Sequence, residues 1–469
     1  MKNQTGLWVA ATSVAALCSA IALVAFAAES GTKADSAGSL TFSKDVAPIF
    51  QAKCDSCHHP NTSAPMSLMT YADVRPWAKS IKARVLSRDM PPWHIDRTSG
   101  IREFANDISL SDEQIATVAK WVDQGAVQGN PSDMPPPPAY PSDVSQNGQM
   151  LWVMGTPDLT AVTDDFKMYA KGSDWWINQF SEITIPEDRY IQAMEVRPSN
   201  RRIVHHCVIS ITDASSPEDD RGTQLIEYAI GKYGDTFAPD TGRLLKKGTY
   251  RLIYDMHYNA AGSEQMNHTT LALKFYPKGF VPKYKVRSMS IRNLPNDELE
   301  VPPNTVVRTD GYYRLPGNVR IDAFQPHLHS RGKGLTLETI NLDNTTTLIS
   351  SVDHFNFNWH VNYVYADGYQ PLVPAGTILH IIGIHDNTAA NPRNPDPNVW
   401  AGYGERSVDD MLQLWMDVVD MDDAMFKDAV AERHAKAAVT GREPWVMPLT
   451  FAKGPASQAN PLAPLRREP

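Results

Sequence analysis

Two histidines, His327 and His329, stand one residue apart in the run QPHLHSRGKG. On a β-strand successive side chains point to opposite faces, so both imidazoles would project to one side while Leu328 points away. Two imidazoles on one face can chelate a single metal ion. They can equally be two polar residues on a solvated sheet face. Other candidate metal ligands in the chain would favour the metal site.

A second motif is FQAKCDSCHHP, in which Cys54 and Cys57 are followed directly by His58. The spacing Cys-X-X-Cys-His attaches c-type haem, because two thioether bonds hold the porphyrin and the histidine reaches the iron as an axial ligand. A redox disulfide would not need the histidine, and a zinc site would need a second pair of ligands nearby. The sequence therefore predicts one covalently attached haem c.

The residues around this motif resemble small cytochrome c domains over about residues 41 to 127. TFSKDVAPIFQAKCDSCH is similar to the first helix of such domains, RDMPPWH to the loop of the distal methionine, and residues 111 to 124 to the closing helix. The resemblance implies that Met90 is the sixth ligand of the iron, since a thioether is a soft donor. The alternatives for that position are Met66, Met69, His59 and His94.

Further histidines and methionines follow in the second part of the chain. In chain order they are His205 and His206 in VHHCV, His257 in YDMHY, His327 and His329, and Met411 and Met416 in SVDDMLQLWM. Adjacent histidines on a regular strand point to opposite faces. His205 and His206 can therefore share one metal only if the strand is bulged or if they bind through different ring nitrogens.

This set as a whole resembles the type II copper, ascorbate-dependent monooxygenases, the family of peptidylglycine α-hydroxylating monooxygenase and dopamine β-monooxygenase. HLHSRGKG is similar to the family's His-X-His followed by Gly-Lys, and VDDM to its acidic-acidic-Met sequence. The resemblance implies two coppers per chain, each in its own β-sandwich. One would be held by His205, His206 and His257, and the other by His327, His329 and Met411.

The resemblance also implies a division of labour between the coppers. The site with the catalytic residues His327, His329 and Met411 would activate dioxygen and abstract hydrogen from a C–H bond of a small organic substrate. The three-histidine site would store and pass an electron. A thioether favours Cu(I), whereas imidazole suits both oxidation states of copper. Met416 lies outside the VDDM match, and we expect it in the hydrophobic core.

Two other functions are compatible with the same residues. The chain could be an exported haem and copper protein that transfers electrons or binds copper without oxygenase activity. It could also be a carbohydrate-binding or surface-binding β-sandwich with a haem module, in which case it would bind almost no copper. Copper and haem stoichiometry would separate these alternatives.

The elements that must position these residues divide the chain into domains. The 469 residues are 42% hydrophobic, enough for two or three hydrophobic cores. Residues 40–129 have a helical pattern, with a capping box of Ser111 and Gln114 before the clearest helix. The predicted fold is multidomain, a small all-α haem domain followed by two all-β, jelly-roll-like sandwiches. The haem domain is followed by a proline-rich linker at 130–144, the first sandwich at 145–285, the second sandwich at 286–453 and a proline-rich tail at 454–469.

The N-terminus predicts export. Lys2 precedes a long uncharged run that ends in Ala25-Phe26-Ala27, which indicates a signal peptide of residues 1–27 and a periplasmic or extracellular protein. An uncleaved membrane anchor is the alternative, because the apolar run is long. The formal net charge of −9 argues against a nucleic-acid partner.

Two further segments predict local features of the β-sandwiches. Cys207 has no obvious partner among the cysteines left after cleavage, and we expect it to be a small buried hydrophobe. The run DHFNFNWH alternates polar and aromatic residues, which predicts a strand with one solvated face. That face would display His354, Asn356, Asn358 and His360, and the alternative is that it lines a substrate cleft.

The haem is predicted to be the entry port for electrons. Hydroxylation by two coppers consumes two electrons per turnover, and the animal relatives take them from ascorbate. This chain has its own one-electron carrier, and iron with Met and His ligands has a raised potential. An ascorbate-like reductant or an exported redox protein would then supply electrons through the haem. A sensor or partner-binding role of the haem domain is the alternative, because the linker can either dock the haem near a sandwich or hold it away.

We expect the purified exported protein to contain one haem that stays with the polypeptide during acid-acetone extraction. Intact mass spectrometry should show the chain with one haem added, and Cys57→Ala should weaken or abolish this attachment. The Cys207→Ala variant is the matched control and should keep the haem. Haem that extracts freely from the wild type would refute the covalent attachment.

Overall fold

The computed structural model describes residues 39–60, 64–138, 152–229, 232, 234–293 and 298–440. The expected signal peptide, residues 139–144 of the expected linker and the proline-rich tail lie outside these residues. Most of the regular structure in the described part is β-sheet, as the sequence predicts. Among the described residues, no helix has the length and apolar character needed to cross a membrane.

The helices lie mainly before residue 127. They are α1 (Ala47–Lys53), α2 (Tyr71–Val74), α3 (Ala78–Leu86) and α4 (Asp112–Asp123), with a π-helical turn at Phe42–Val46 and 3-10 turns at Arg75–Trp77 and Pro131–Asp133. The predicted capping box starts α4, because the Gln114 N–H donates to Ser111 Oγ and the Ser111 N–H donates to Gln114 Oε1. The buried side chains of these helices form a hydrophobic core of their own.

The first group of strands lies between residues 159 and 275. It comprises β1 (Leu159–Val162), β2 (Phe166–Met168), β3 (Trp175–Ile185), β4 (Arg189–Pro198), β5 (Val204–Asp213), β6 (Thr223–Ala229), β7 (Gly234–Thr236), β8 (Thr241–Leu245), β9 (Gly248–Tyr258), β10 (Gln265–Asn267) and β11 (Thr269–Phe275). The sheet β3-β9-β5-β6 packs against a layer formed by β1, β11, β4 and β8. Apolar side chains from both layers fill one core, which makes this part a β-sandwich.

The second group of strands lies between residues 284 and 421. It comprises β12 (Tyr284–Arg292), β13 (Glu300–Val301), β14 (Val306–Arg314), β15 (Asn318–Ile321), β16 (Ala323–Leu328), β17 (Gly332–Ile340), β18 (Thr346–Val352), β19 (Tyr363–Val364), β20 (Leu372–Val373), β21 (Ile378–Asp386), β22 (Ala401–Gly402) and β23 (Leu412–Met421). The sheet β14-β21-β17-β18 packs against β12, β23, β15 and β16 over a second core. Helix α5 (Asp423–Thr440) follows and packs on the outside of this layer.

One sheet runs through both sandwiches. Strand β12 pairs in parallel with β8, with Tyr284 opposite Thr241, and in antiparallel fashion with β23. The pairing joins the two layers into a sheet of eleven strands. Because its backbone hydrogen bonds cross from one sandwich to the other, the relative position of the two sandwiches is fixed by main-chain geometry as well as by side-chain packing.

The segment after α3 packs on the second sandwich. The Asp96 N–H donates to Ser351 O at 2.7 Å, and the Ile101 N–H donates to Ile349 O at 2.7 Å. The Trp93 ring meets Tyr363 edge to face, with 4.7 Å between ring centres. The chain just after Met90 is therefore held on the second sandwich by its own hydrogen bonds, without any need for the linker to place it there.

Strand β21 contains a buried ion network around His380. Its Nδ1 lies 2.8 Å from Glu338 Oε1 and its Nε2 lies 2.7 Å from Asp310 Oδ1, while Tyr312 stacks on the ring. Burial alone would lower the pKa of His380, but the hydrogen bonds to Asp310 and Glu338 outweigh it and raise the pKa above the ordinary value. The stabilisation by this network is therefore fully present below about pH 6.5 and is lost as the pH rises through the raised pKa.

We expect His380→Gln to lower the free energy of unfolding by about 2 kcal/mol at pH 6, because charged hydrogen bonds to two carboxylates are lost. The loss should be smaller at pH 9, where the wild-type imidazole is neutral. Urea unfolding at both pH values measures the difference. His434→Gln, on the exposed face of α5, is the control, and an equal effect of His380→Gln at both pH values would contradict the charged network.

Candidate metal centre

Three predicted ligands meet at one end of the first sandwich. One ligand atom of each of His205, His206 and His257 lies within 4.8 Å of the others. Adjacent histidines can share a metal if their strand is bulged, and β5 contains such a bulge. Val204 pairs with Tyr258 and His206 with His257, so His205 is the extra residue in β5. The bulge brings His205 Nδ1 to 3.3 Å from His206 Nδ1, so both rings face one point.

His257 is oriented by a residue that sequence reasoning missed. Its Nε2 lies 2.9 Å from Asp174 Oδ2, and Trp176 stacks on its ring with centres 4.2 Å apart. The Nδ1 atom of His257 is buried without a hydrogen-bond partner. A carboxylate on one imidazole nitrogen leaves the lone pair of the other nitrogen for a metal, and such partners also fix the ring. The sequence around Asp174 has no motif that indicates this contact.

Strand pairing places the second set. His327 on β16 lies opposite Gln413 on β23, and the same register continued by two residues places His329 opposite Met411. Residues opposite one another in an antiparallel pair share a face of the sheet. The Asp410 carboxylate fixes the backbone at His329 and Met411. The backbone N–H groups of these two residues donate to Asp410 Oδ1, at 3.3 and 2.8 Å. The Nδ1 atom of His329 is buried without a hydrogen-bond partner.

The Arg-Gly-Lys-Gly turn after His329 has a structural role. The Arg331 side chain is almost completely buried and donates to Asn387 Oδ1 at 2.8 Å and to the Val408 carbonyl at 2.7 Å. It thereby fastens the loop that leads to Asp410. A side chain at position 332 would bring its Cβ within 2.4 Å of Leu328 Cβ, so glycine is required there.

The predicted strand at DHFNFNWH is wrong. The chain between β18 and β19 is irregular, so the two-residue alternation does not apply. His354 and Asn358 are exposed as expected, whereas Asn356 and His360 are buried. His360 Nδ1 lies 3.2 Å from His327 Nδ1. Sequence reasoning therefore missed a histidine that contacts a predicted ligand.

The two histidine sets adjoin one another. The ring centre of His360 lies 6.0 Å from that of His206 and 4.9 Å from that of His327. Phe357 bridges the sets on another side, with ring centres 5.1 Å from His205 and 5.4 Å from His329. The six imidazoles therefore form one continuous cluster at the junction of the sandwiches.

These imidazoles are neutral at pH 7. Burial, followed by the nearby His257, lowers the pKa of His205 to about 4. Burial lowers the pKa of His206 and His327 well below the ordinary value, with the neighbouring histidines acting in the same direction. Neutral imidazole is the form that binds metals, so protons do not compete with a metal for these nitrogens at pH 7.

One cavity reaches both sets. It has a volume of about 700 Å³, and His206, His327, His329 and Met411 line it. Charged side chains on the same walls include Asp255, Glu405, Arg221 and Arg292. Burial raises the pKa of Asp255 to about 6, and the nearby Glu405 acts in the same direction. The ligand types fit copper, which accepts imidazole nitrogen and thioether sulfur as donors. The cavity that they line is large enough for a small polar molecule to enter.

The predicted haem residues lie after α1. The His58 N–H donates to Cys54 O at 3.0 Å, and no disulfide joins Cys54 to Cys57. His58 Nδ1 lies 3.1 Å from the Met66 carbonyl oxygen, to which it donates, and this leaves the lone pair of Nε2 for an iron. Burial raises the pKa of the Cys54 thiol, whose side chain packs against the helical core. These residues fit a covalently attached haem.

The distal candidates differ in their surroundings. Met90 is half-buried, and its N–H donates to Arg84 O at 3.3 Å. His94 is buried where the loop meets the second sandwich, and its N–H donates to the Tyr363 hydroxyl at 3.1 Å. Met90 stays the predicted ligand, with Met66, Met69, His59 and His94 as the alternatives.

Two expectations about apolar side chains are confirmed. Cys207 is fully buried in the core of the first sandwich, and burial raises the pKa of its thiol. Met416 is buried in the core of the second sandwich. Met411, by contrast, lines the cavity.

Comparisons with known proteins leave the family open. No protein-family model and no curated protein matches the sequence. Among solved structures, the chain is similar to the major capsid protein P2 of bacteriophage PM2, with 11% identity, a TM-score of 0.27, and 53% of this chain and 97% of that chain covered. It is also similar to a fucolectin from striped bass (Morone saxatilis) serum, with 8% identity, a TM-score of 0.16, and 55% and 86% covered. Similarities at these TM-scores support no conclusion about fold or function.

We expect Asp174→Ala to weaken Cu(II) binding at the three-histidine set by 10- to 100-fold, because His257 loses the partner that fixes its tautomer. Titration against a competing chelator, with His327→Ala in the background to isolate this set, measures the affinity. Asp165→Ala is the matched control, because Asp165 pairs with the exposed His268. Equal affinities in the two variants would contradict the orienting role of Asp174.

Proposed function

We propose that this protein is an exported copper monooxygenase that hydroxylates a C–H bond of a small organic substrate. The net reaction takes a C–H bond, one O₂, two electrons and two protons to a C–OH group and one water. Copper, when bound, supplies the one-electron steps and the activation of O₂. The motif resemblance to the ascorbate-dependent copper monooxygenases is the starting point of this proposal.

The observation that supports it best is the shared cavity. His327, His329 and Met411 line a space of about 700 Å³ that His206, from the other set, also lines. A protein that only stored copper or passed electrons would not need ligands of both sets around a space of this size. A substrate in this cavity would lie beside the His327, His329 and Met411 set, where the resemblance places the chemistry.

The residues of the chain have separate tasks in this proposal. His205, His206 and His257 would hold one copper, with Asp174 fixing His257. His327, His329 and Met411 would hold the other, with Asp410 fixing the backbone at His329 and Met411. The charged residues of the cavity wall, Asp255 among them, would bind a polar substrate and hold or release protons.

The helical part would be a haem c domain that feeds electrons to the coppers. Cys54 and Cys57 would attach the haem, and His58 and Met90 would be its axial ligands. Bound haem c supplies reversible one-electron transfer. The packing of Trp93 on Tyr363 supports this role, because it holds the Met90 loop against the sandwich that contains His360.

We expect Met411→Leu to abolish hydroxylation while the three-histidine set keeps its copper. The reason is that leucine keeps the volume of the side chain and removes only the thioether. The measurement combines metal analysis with mass spectrometry of ¹⁸O incorporation from ¹⁸O₂, using a panel of small polar organic compounds as substrates. Met416→Leu, a change in the core, is the matched control and should retain activity.

Two outcomes would overturn parts of this proposal. Normal ¹⁸O incorporation by Met411→Leu would mean that another residue completes the oxygen site. Wild-type protein that binds two coppers and one haem, but consumes no O₂ with an electron donor and any compound of the panel, would favour the electron-transfer function. Protein without copper would favour the carbohydrate-binding or surface-binding function.

A further inference from the structure

A cluster of buried charged side chains lies between the two sandwiches, and the proposed ligand sets use none of them. Lys232 Nζ lies 3.2 Å from Asp235 Oδ1 and donates to Gln325 Oε1 at 3.1 Å. Gln325 Nε2 in turn donates to Glu227 Oε1 at 2.5 Å. Glu227 is 1% exposed, and its Oε2 has no hydrogen-bond partner in the described part of the chain. Asp417, on β23, belongs to the same cluster through its charge interactions with Asp235 and Lys232.

Two small cavities lie between this cluster and the main cavity of about 700 Å³. The inner one has a volume of about 20 Å³, and Ser288 and Trp415 line both it and the main cavity. The outer one has about 40 Å³, and Asp235 and Asp417 line both it and the inner one. The exposed Thr236 also lines the outer cavity, so the shared walls place the three cavities in a row from the surface inwards. Each small cavity is large enough for a water molecule and has polar walls that can hold one.

The cluster contains one carboxyl group more than it contains cations. Glu227, Asp235 and Asp417 lie near Lys232 and Arg243, so one proton on a carboxyl group makes the cluster neutral. Burial raises the pKa of Asp417 to about 7, with Asp235 acting in the same direction and the two cations against it. Burial also raises the pKa of Glu227 to about 7. Lys232 keeps its charge, because the nearby carboxylates outweigh the effect of burial and raise its pKa.

Ser288 stands between Asp417 and the main cavity. Its Oγ lies 3.5 Å from Asp417 Oδ1 and accepts a hydrogen bond from Arg243 Nη1 at 3.2 Å. A hydroxyl group can accept one proton and release another, so Ser288 can pass a proton from Asp417 to a molecule in the main cavity. Asp322 is the remaining charged neighbour of Asp417, and Arg320 neutralises it with a contact of 2.6 Å.

We propose that this charged cluster is a proton path from solvent to the main cavity, with Asp417 as the proton carrier and Ser288 as the exit. This inference rests on the proposed function, whose reaction consumes two protons in each turnover. Asp417 gives a proton through Ser288 to the reacting oxygen and takes another from water in the outer cavity. The electron donor supplies the two electrons. A substrate in the main cavity displaces water from it, and protons then enter from the side of the cluster.

The first test measures the protons of the cluster without turnover. Infrared spectra of the purified protein, in H₂O and in D₂O, follow the C=O stretch of protonated carboxyl groups at pH values from about 5 to 9. We expect a band that disappears as the pH rises through about 7, shifts in D₂O and loses intensity in Asp417→Asn. Asp420→Asn is the matched control, because Asp420 lies on the same strand but is exposed and pairs with Arg287. A wild type without such a band, or an unchanged band in Asp417→Asn, would overturn the inference.

The second test measures O₂ consumption with an electron donor and the panel of small polar compounds. We expect Asp417→Asn and Ser288→Ala to lower the turnover rate at least about tenfold without loss of copper. Ser288→Thr keeps the hydroxyl group and should retain turnover. The wild-type rate should fall as the pH rises above about 7, because deprotonated Asp417 has no proton to give. The Asp417→Asn protein should lack this pH dependence.

The outcomes separate this inference from the proposed function. A wild type that shows the infrared band but consumes no O₂ would overturn the proposed function, and the proton path with it. Normal turnover in both Asp417→Asn and Ser288→Ala would overturn the proton path and leave the proposed function standing. If the Asp417→Asn chain does not fold, the comparison of Ser288→Ala with Ser288→Thr decides, and equal rates in these two variants would overturn the path.

Discussion

The burial of neutral imidazoles at the junction of the two sandwiches is the constraint on which the site depends. His257, His327, His329 and His360 are each 5% exposed or less. Three of their ring nitrogens have no hydrogen-bond partner. Each such atom destabilises the fold, and the proposed coppers would supply the partners that the nitrogens of His257 and His329 lack.

A β-bulge and the pairing of strands position these imidazoles. A bulge in β5 turns His205 towards the same point as His206, and the pairing of β16 with β23 brings Met411 opposite His329. The shared sheet of β8 and β12 then holds the two sets together. Each ligand is therefore placed by main-chain hydrogen bonds, which gives the positional precision that a metal site needs.

Much of this arrangement could be predicted from sequence because the signals are local. The capping box at Ser111, the β-pattern after residue 145 and the core positions of Cys207 and Met416 depend on neighbouring residues. The sequence indicates only that His205 and His206 could share a metal if their strand were bulged, and it does not predict the bulge itself. Contacts such as Asp174 with His257 join residues far apart in the chain and have no local pattern. The two-residue alternation in DHFNFNWH does not predict the burial of His360, because that segment is not a strand.

We propose that both histidine sets bind copper and belong to one cluster. The most direct measurement is continuous-wave EPR of protein loaded with two Cu(II) ions, compared with chains that lack one set. We expect dipolar broadening and a half-field transition in the doubly loaded protein, because dipolar coupling falls with the cube of the distance and the two coppers would lie close together. A spectrum equal to the sum of two isolated Cu(II) signals would contradict the claim.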